Sequence, residues 1–192
     1  MRGWLKTIGS LVIILGLALP GLTQSSKSIT ISATISPVED LSVSISRIEG
    51  SNWYPNQTSI DFGTLSYDIT NNIFRANCYY AVDVGVSGNV SDWIITHSVS
   101  SIKNAAGTDS LDNNINVSFN QQLDDTTANE IGYYSYAQSN RSFNKSQISP
   151  GWLRIYYGIA TGSGDASGVE SITTAKPAGT YTGTITLTLT PQ

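Results

Sequence analysis

The stretch AGTYTGTITLTLTPQ, residues 178–192, decides how the rest of the chain is read. From Tyr181 to Thr190 a threonine fills every second position, and Tyr181, Gly183, Ile185, Leu187 and Leu189 fill the others. Alternation with period two sends one set of side chains to each face of a β-strand. It predicts a strand over residues 180–190 with Ile185, Leu187 and Leu189 facing a core and Thr184, Thr186 and Thr188 facing water. Pro191 blunts the end, because it has no N–H to give to a ladder.

The same period recurs upstream. SITISATIS, from Ser28 to Ser36, aligns Ile29, Ile31, Ala33 and Ile35 on one face, and PVED interrupts it. LSVSISRI (residues 41–48) repeats the pattern with Leu41, Val43 and Ile45. GSNWYPNQTS (50–59) reads as a loop from its Gly, Asn and Pro. IDFGTLSYDI (60–69) reads as a short strand bent at Gly63. Residues 74–86 form the longest alternating run, which predicts a strand central in a sheet. Further strands are expected with Trp93, Ile95, His97 and Val99 on one face, with Ile115, Val117 and Phe119 together, around residues 131–137, and over WLRIYYGIA (152–160). TGSGDASGVESITTAKPAG (161–179) reads as surface loop. Eight or nine short strands parted by turn signals, with weak helical periodicity, define an all-β antiparallel β-sandwich.

The chain has 192 residues and opens with Arg2 and Lys6, an apolar run from Ile8 to Leu19, and then Pro20 and Gly21. This is the layout of a cleavable signal peptide, read as residues 1–25, with a retained anchor as the alternative. The apolar run is short of the roughly 20 residues a membrane-spanning helix needs. Residues 26–192 are then a single β-sandwich domain, secreted or at the cell surface, with a periplasmic stage before any assembly and no membrane span after cleavage. Losing Arg2 and Lys6 takes the formal charge from −4 to −6. With charged residues at 12%, such a chain is a poor partner for nucleic acid. Cys78 is the single cysteine, so no internal disulfide is possible. It shares an alternating face with Tyr80, Val82 and Val84 and reads as a buried thiol.

No catalytic constellation is legible, and the chain is read as not an enzyme, with no catalytic, cofactor or metal residues assigned. His97 is the only histidine and lies on an apolar strand face, which points to a structural position. A multi-histidine metal site is excluded by count. Asp109/Asp112 and Asp124/Asp125 read as solvated acidic turns. Five Asn-X-Ser/Thr triplets start at Asn56, Asn89, Asn116, Asn140 and Asn144; of these Asn116 and Asn140 are plausible glycan acceptors in a glycosylating host. Tyrosines occur as adjacent pairs, Tyr79-Tyr80, Tyr133-Tyr134 and Tyr156-Tyr157. On a strand each pair sends one ring inward and one outward. The outward rings, with Trp53 and Tyr54 in a loop, suggest a sugar-stacking platform, against the simpler reading that tyrosine suits sheet surfaces.

Three stretches together carry a resemblance: ISATIS (31–36), IDFGTL (60–65) and PAGTYTGTITLTLTP (177–191). In this order they resemble the spore coat protein U and fimbrial-subunit-like secreted β-sandwiches of prokaryotes. SDWIIT is more faintly similar to the WxL cell-wall domains. The resemblance covers under a third of the chain and departs from the family pattern in lacking a cysteine pair. It implies an immunoglobulin-like sandwich in a pilus, coat, matrix or adhesion layer, and no catalytic residues.

The function expected is therefore an exported, non-enzymatic structural or adhesion protein of the cell surface. Its expected partners are copies of itself or other surface and fibre subunits. SITISATIS is the candidate strand for donation to a neighbour, against pairing within its own sheet. The alternative is a secreted carbohydrate-binding module that takes surface glycans.

Overall fold

The computed structural model describes residues 30–123 and 128–192. The chain divides into two units, residues 1–35 and 36–192, and every strand among the described residues lies in the second. In chain order the strands are β1 (Glu39–Glu49), β2 (Asn52–Gln57), β3 (Ser66–Asp68), β4 (Ile73–Arg75), β5 (Tyr79–Gly88), β6 (Trp93–Val99), β7 (Lys103–Asn104), β8 (Ile115–Gln122), β9 (Ala128–Ser135), β10 (Arg141–Asn144), β11 (Trp152–Ile159), β12 (Tyr181–Thr182) and β13 (Ile185–Pro191). One helical turn, α1 (Lys145–Ile148), follows β10. Among the described residues no helix is long and apolar enough to cross a membrane.

Alternating apolar residues build two main antiparallel sheets around one core, with the two-stranded pairs β3-β4 and β12-β7 beside them. The larger has six strands in the order β2-β1-β5-β11-β8-β9, and the smaller has three, β10-β6-β13. Register stacks the inward side chains in rows across the larger sheet. Val82, Ile155 and Phe119 form one row, and Tyr80, Tyr157 and Val117 the next. All six are almost fully buried. From the smaller sheet, Ile95 and His97 on β6 and Phe143 on β10 meet them. The Phe119 ring lies 4.9 Å from Phe143 and 5.2 Å from His97, centroid to centroid. Each such side chain contributes about 1.5–3 kcal/mol by leaving water.

The outward rows are polar, as one-sided burial of an antiparallel sheet requires. One exception is nearly as buried as the core. Arg154 on β11 binds Asp83 on β5 through two hydrogen bonds of 2.5 and 2.7 Å, and its guanidinium lies 5.0 Å from the centre of the Trp53 ring. The hydrogen bonds to Asp83 raise the Arg154 pKa against the opposing effect of burial.

The sandwich, the central place of β5 and the facing of β13 follow the sequence pattern. Ile185, Leu187 and Leu189 are half-buried, and Thr184, Thr186 and Thr188 are exposed. Five local expectations need correction. Residues 52–57 are the edge strand β2, not a loop; Gly50 at φ 58° makes the turn, and an edge strand tolerates Pro55. Residues 60–65 are not a strand. Asp61 Oδ1 accepts the Gly63 N–H at 2.8 Å and Gly63 takes φ 66°, which leads the backbone out of extended geometry while Ile60, Phe62 and Leu65 still pack on the core.

The run 74–86 is split between β4 and β5, and β1, with 11 residues, is the longest strand. The closing run is also split. A Cβ at Gly183 would lie 2.7 Å from Ile102 Cγ1, and at this close approach the pairing changes from β12–β7 to β13–β6. Finally, residues 30–36 are not a strand, and Ile31 and Ile35 are 92% and 82% exposed. Asn89 fixes where the sheet begins: its side chain accepts from Val38 N–H at 2.7 Å and donates to Ser36 C=O at 3.0 Å. Ser28, Ile29, the segment 1–25 read as a signal peptide, and Asp124 and Asp125 lie outside the described residues.

Phe119 joins the two sheets, so its truncation tests the sandwich. Phe119→Ala should lower the unfolding free energy by about 3–5 kcal/mol. Urea denaturation followed by tryptophan fluorescence reads this directly; a loss under about 1 kcal/mol contradicts the packing described.

Candidate functional site

His97 lies in the core with none of its surface exposed. Its Nδ1 lies 2.6 Å from the Ser139 carbonyl, so Nδ1 carries the hydrogen and donates. Its Nε2 then accepts from the Tyr157 hydroxyl at 2.8 Å. Burial lowers the His97 pKa, partly opposed by the Ser139 carbonyl, and burial raises that of Tyr157. The pair holds β6 to β11 across the core, the structural position its strand pattern indicated.

The three tyrosine pairs divide as the pleat demands. Tyr80 and Tyr157 are buried and Tyr134 packs against the core, while Tyr79, Tyr133 and Tyr156 face outward from the larger sheet. Those three outward rings line a single groove of about 500 Å³. Register explains why. Tyr156 on β11 and Tyr133 on β9 stand on either side of Ser118 on β8, two strand spacings apart. One row over, Gly158 on β11 puts no side chain between Tyr79 on β5 and Asn116 on β8. The Tyr79 and Tyr156 rings lie 6.1 Å apart.

A loop held by Asp165 forms one wall. Its carboxylate accepts from Thr161 N–H at 3.0 Å, Gly162 N–H at 2.7 Å and Asn116 Nδ2 at 2.7 Å. Arg75 donates to Thr161 C=O at 3.0 Å and binds Asp68 at 2.8 Å. Tyr133 closes the loop by donating to Gly164 C=O at 3.1 Å. On the floor, Asn120 Nδ2 donates to Ser118 Oγ at 2.8 Å, and Ser118 donates to Glu130 Oε2 at 3.0 Å. Partial burial raises the Tyr133 pKa, with Asp165 and Glu130 adding to the effect.

Trp53 and Tyr54 do not share this groove. They lie on β2, with Trp53 under Arg154. Glu130, Ser118 and Asp165 are the residues sequence reading missed. The Gly-Ser loop read as plain surface is the wall, and the signal for it was an aspartate among small residues, the pattern of side-chain-capped turns.

A second feature lies on the core side. The smaller sheet ends at β13, which pairs with β6 alone among the described residues. Its Leu187 and Leu189 are only half-buried. On β1, the core-side Val43 is 47% exposed although its neighbours across the sheet, Val84 and Leu153, are fully buried.

The other candidates have structural partners. Cys78 is a free, buried thiol in the core. Arg47 is its basic neighbour, and Cys78 is the first cause of the raised Arg47 pKa. Asp109 binds Lys176 at 3.0 Å, and Asp112 accepts from Ser101 and from Ile102 N–H, so the two serve separate turns. Among the described residues no three His, Cys, Asp or Glu side chains converge on a metal position. Asn116 is nearly buried and both ends of its amide are bonded, so it is no glycan acceptor in the folded chain; Asn140 accepts from Val99 N–H at 2.9 Å. No family model, no characterised protein and no solved structure matches this chain.

The neutral state of His97 gives a pH dependence with a defined sign. Its folded pKa lies below the unfolded value, so its stabilising effect is complete above the unfolded pKa of about 6.5 and is lost as pH falls below it. Asp68, held at about 2 by Asn71 and Arg75, adds a separate loss only in more acid solution. Urea midpoints should be level from about pH 8 to 7 and fall from about pH 6.5 to 5. His97→Gln should be less stable at neutral pH by about 2–4 kcal/mol and lack that fall. An unchanged slope in the variant would assign the dependence to other groups.

Proposed function

We propose that the protein is an exported, non-enzymatic structural or adhesion protein of the cell surface that associates with copies of itself by strand addition. One observation supports this reading most. The core-side leucines of the edge strand β13 are half-buried, with β6 on one side and no strand on the other among the described residues, while Ile31 and Ile35 stand almost fully exposed on a segment outside any strand.

The two surfaces suit each other. The sequence of residues 28–36 alternates Ile, Ile, Ala and Ile with Ser and Thr, the pattern of a strand buried on one side. Its described residues, 30–36, match the seven residues of β13 in number, about 23 Å of extended chain. Added beside β13, such a strand satisfies the free backbone groups of that edge and lays its isoleucines over Val43 and Leu187. The arm is tethered at Ser36 and Val38 by Asn89, and the Gly88 backbone approaches so closely that a Cβ there would lie 2.1 Å from Val38 C=O.

The test is the oligomeric state of the purified exported protein. Light scattering and negative-stain electron microscopy should show ladders or filaments. Deletion of residues 28–36 should leave a folded monomer, and a peptide of that sequence should bind the deleted form and not a Leu187→Asp variant of it. A wild-type protein that stays monomeric at high concentration, or a deleted form that still assembles, rejects strand addition.

A further inference from the structure

We infer that the tyrosine groove on the outer face of the larger sheet is a binding site for an uncharged glycan, with one pyranose ring seated between Tyr156 and Tyr133 over Ser118. The site does not rest on strand addition, since β13 and its leucines belong to the other sheet.

Width is the first argument. Tyr156 and Tyr133 rise from strands on either side of β8, about 9.6 Å apart at two strand spacings. A ring in van der Waals contact on both faces needs about 3.5–4.0 Å on each side. The strand separation leaves room for a saturated pyranose ring, whose C–H groups suit the negative faces of the tyrosines. Gly158 extends the floor beside it, and Tyr79 offers the next stacking surface one row along. Three aromatic steps along one groove suit a chain of sugars better than a single small molecule.

Charge is the second argument. Ser118 donates to Glu130, which occupies one of about four acceptor positions on that carboxylate. The remaining positions take hydroxyl donors. Asp165 adds negative charge to the wall, while Arg75 is committed to Asp68 and to Thr161 C=O. An anionic ligand therefore meets like charge, and among the described residues that line the groove the one cation, Arg75, is already paired. A neutral polyhydroxylated ligand finds aromatic faces and an oriented acceptor.

Rigidity is the third argument. The wall is fixed by the Asp165 hydrogen bonds and the floor by the Asn120–Ser118–Glu130 chain, so little ordering remains for the ligand to impose.

The experiment is isothermal titration of the purified exported protein with hexasaccharides of β-glucose, β-xylose, β-mannose and N-acetylglucosamine, and with oligogalacturonate as the charged comparison. At least one neutral chain should bind with submillimolar affinity, and the uronate should not. Tyr156→Ala and Tyr133→Ala should each weaken that binding about fivefold or more. Glu130→Gln should weaken it while leaving the circular dichroism spectrum and melting temperature unchanged, which separates a ligand contact from a folding defect. Trp53→Ala, outside the groove, should leave affinity unchanged. Binding of none of the neutral chains, tighter binding of the uronate, or affinity unaltered by the two tyrosine substitutions overturns the inference. Assembly of the protein into filaments is not altered by any of these outcomes, so the two readings fail separately.

Discussion

Six strands faced by three leave part of the larger sheet uncovered on its inner side, and this mismatch organises the molecule. Where β6 and β10 lie over β8 and β11, the core closes and Phe119, Ile155 and Val117 are shut away from water. Toward β1 the described residues offer no further strand to cover it. The segment carrying Ile60, Phe62 and Leu65 partly compensates, and Tyr80 secures it by donating to Asp61 C=O at 2.6 Å. Beyond its reach Val43 stays exposed and β13 keeps a half-wet inner face. An edge with unpaired backbone groups invites another strand. Here the invitation coincides with apolar surface on the core side, where the extra strand gains burial as well as hydrogen bonds.

The outer face obeys a different constraint. It must carry polar groups, yet β11 places Arg154 there in a nearly dry setting. That arrangement holds because Asp83 meets the guanidinium through two hydrogen bonds and Trp53 covers it. A buried cation without its partner costs several kcal/mol. The bidentate pair occupies one end of the face, and the other end carries Tyr79, Tyr156 and Tyr133 together with the Glu130 and Asp165 carboxylates. Stability and recognition meet on the same strands: the ion pair secures β5 to β11, and Arg154 also interacts with Tyr156 at the edge of the groove. Gly158 contributes by absence, since any side chain there would stand on the groove floor.

What could be read from sequence was what repeats at period two. β6, β8, β11 and β13 show their facing in the order of their residues; burial alternates with it on β13, while on β8 and β11 the outward Asn116, Asn120 and Arg154 are buried as well. The splitting of each tyrosine pair was legible for the same reason. Breaks in the pattern were not, because they depend on partners remote in sequence. Gly183 interrupts the closing strand owing to Ile102, 81 positions upstream. Asn52 to Gln57 form a strand despite turn-like composition because β1 offers an edge. Residues 28–36 show the converse: perfect alternation with no strand in residues 30–36, since pairing requires a partner and alternation alone supplies none. The groove was half legible. Its aromatics could be named, but their convergence on one site needs the register of β5, β11, β8 and β9; Asp165 signals a capped turn only, and Glu130 carries no local signature of a site.

The two surfaces are compatible with one another in a way that bears on purpose. Strand addition at β13 builds on the smaller sheet and the uncovered inner side of β1. The tyrosine groove opens on the opposite side of the larger sheet, which that addition leaves untouched. An assembly made through β13 would therefore display one groove per copy. Weak single-site affinity is then no obstacle to firm attachment, because sites linked in one fibre meet a polymeric ligand at high effective concentration, and avidity exceeds the affinity of one site by about 10²–10⁴. A shallow, three-tyrosine groove without a deep pocket is what such a display would require of each subunit, and under the proposed strand addition the unfinished edge at β13 would link the subunits.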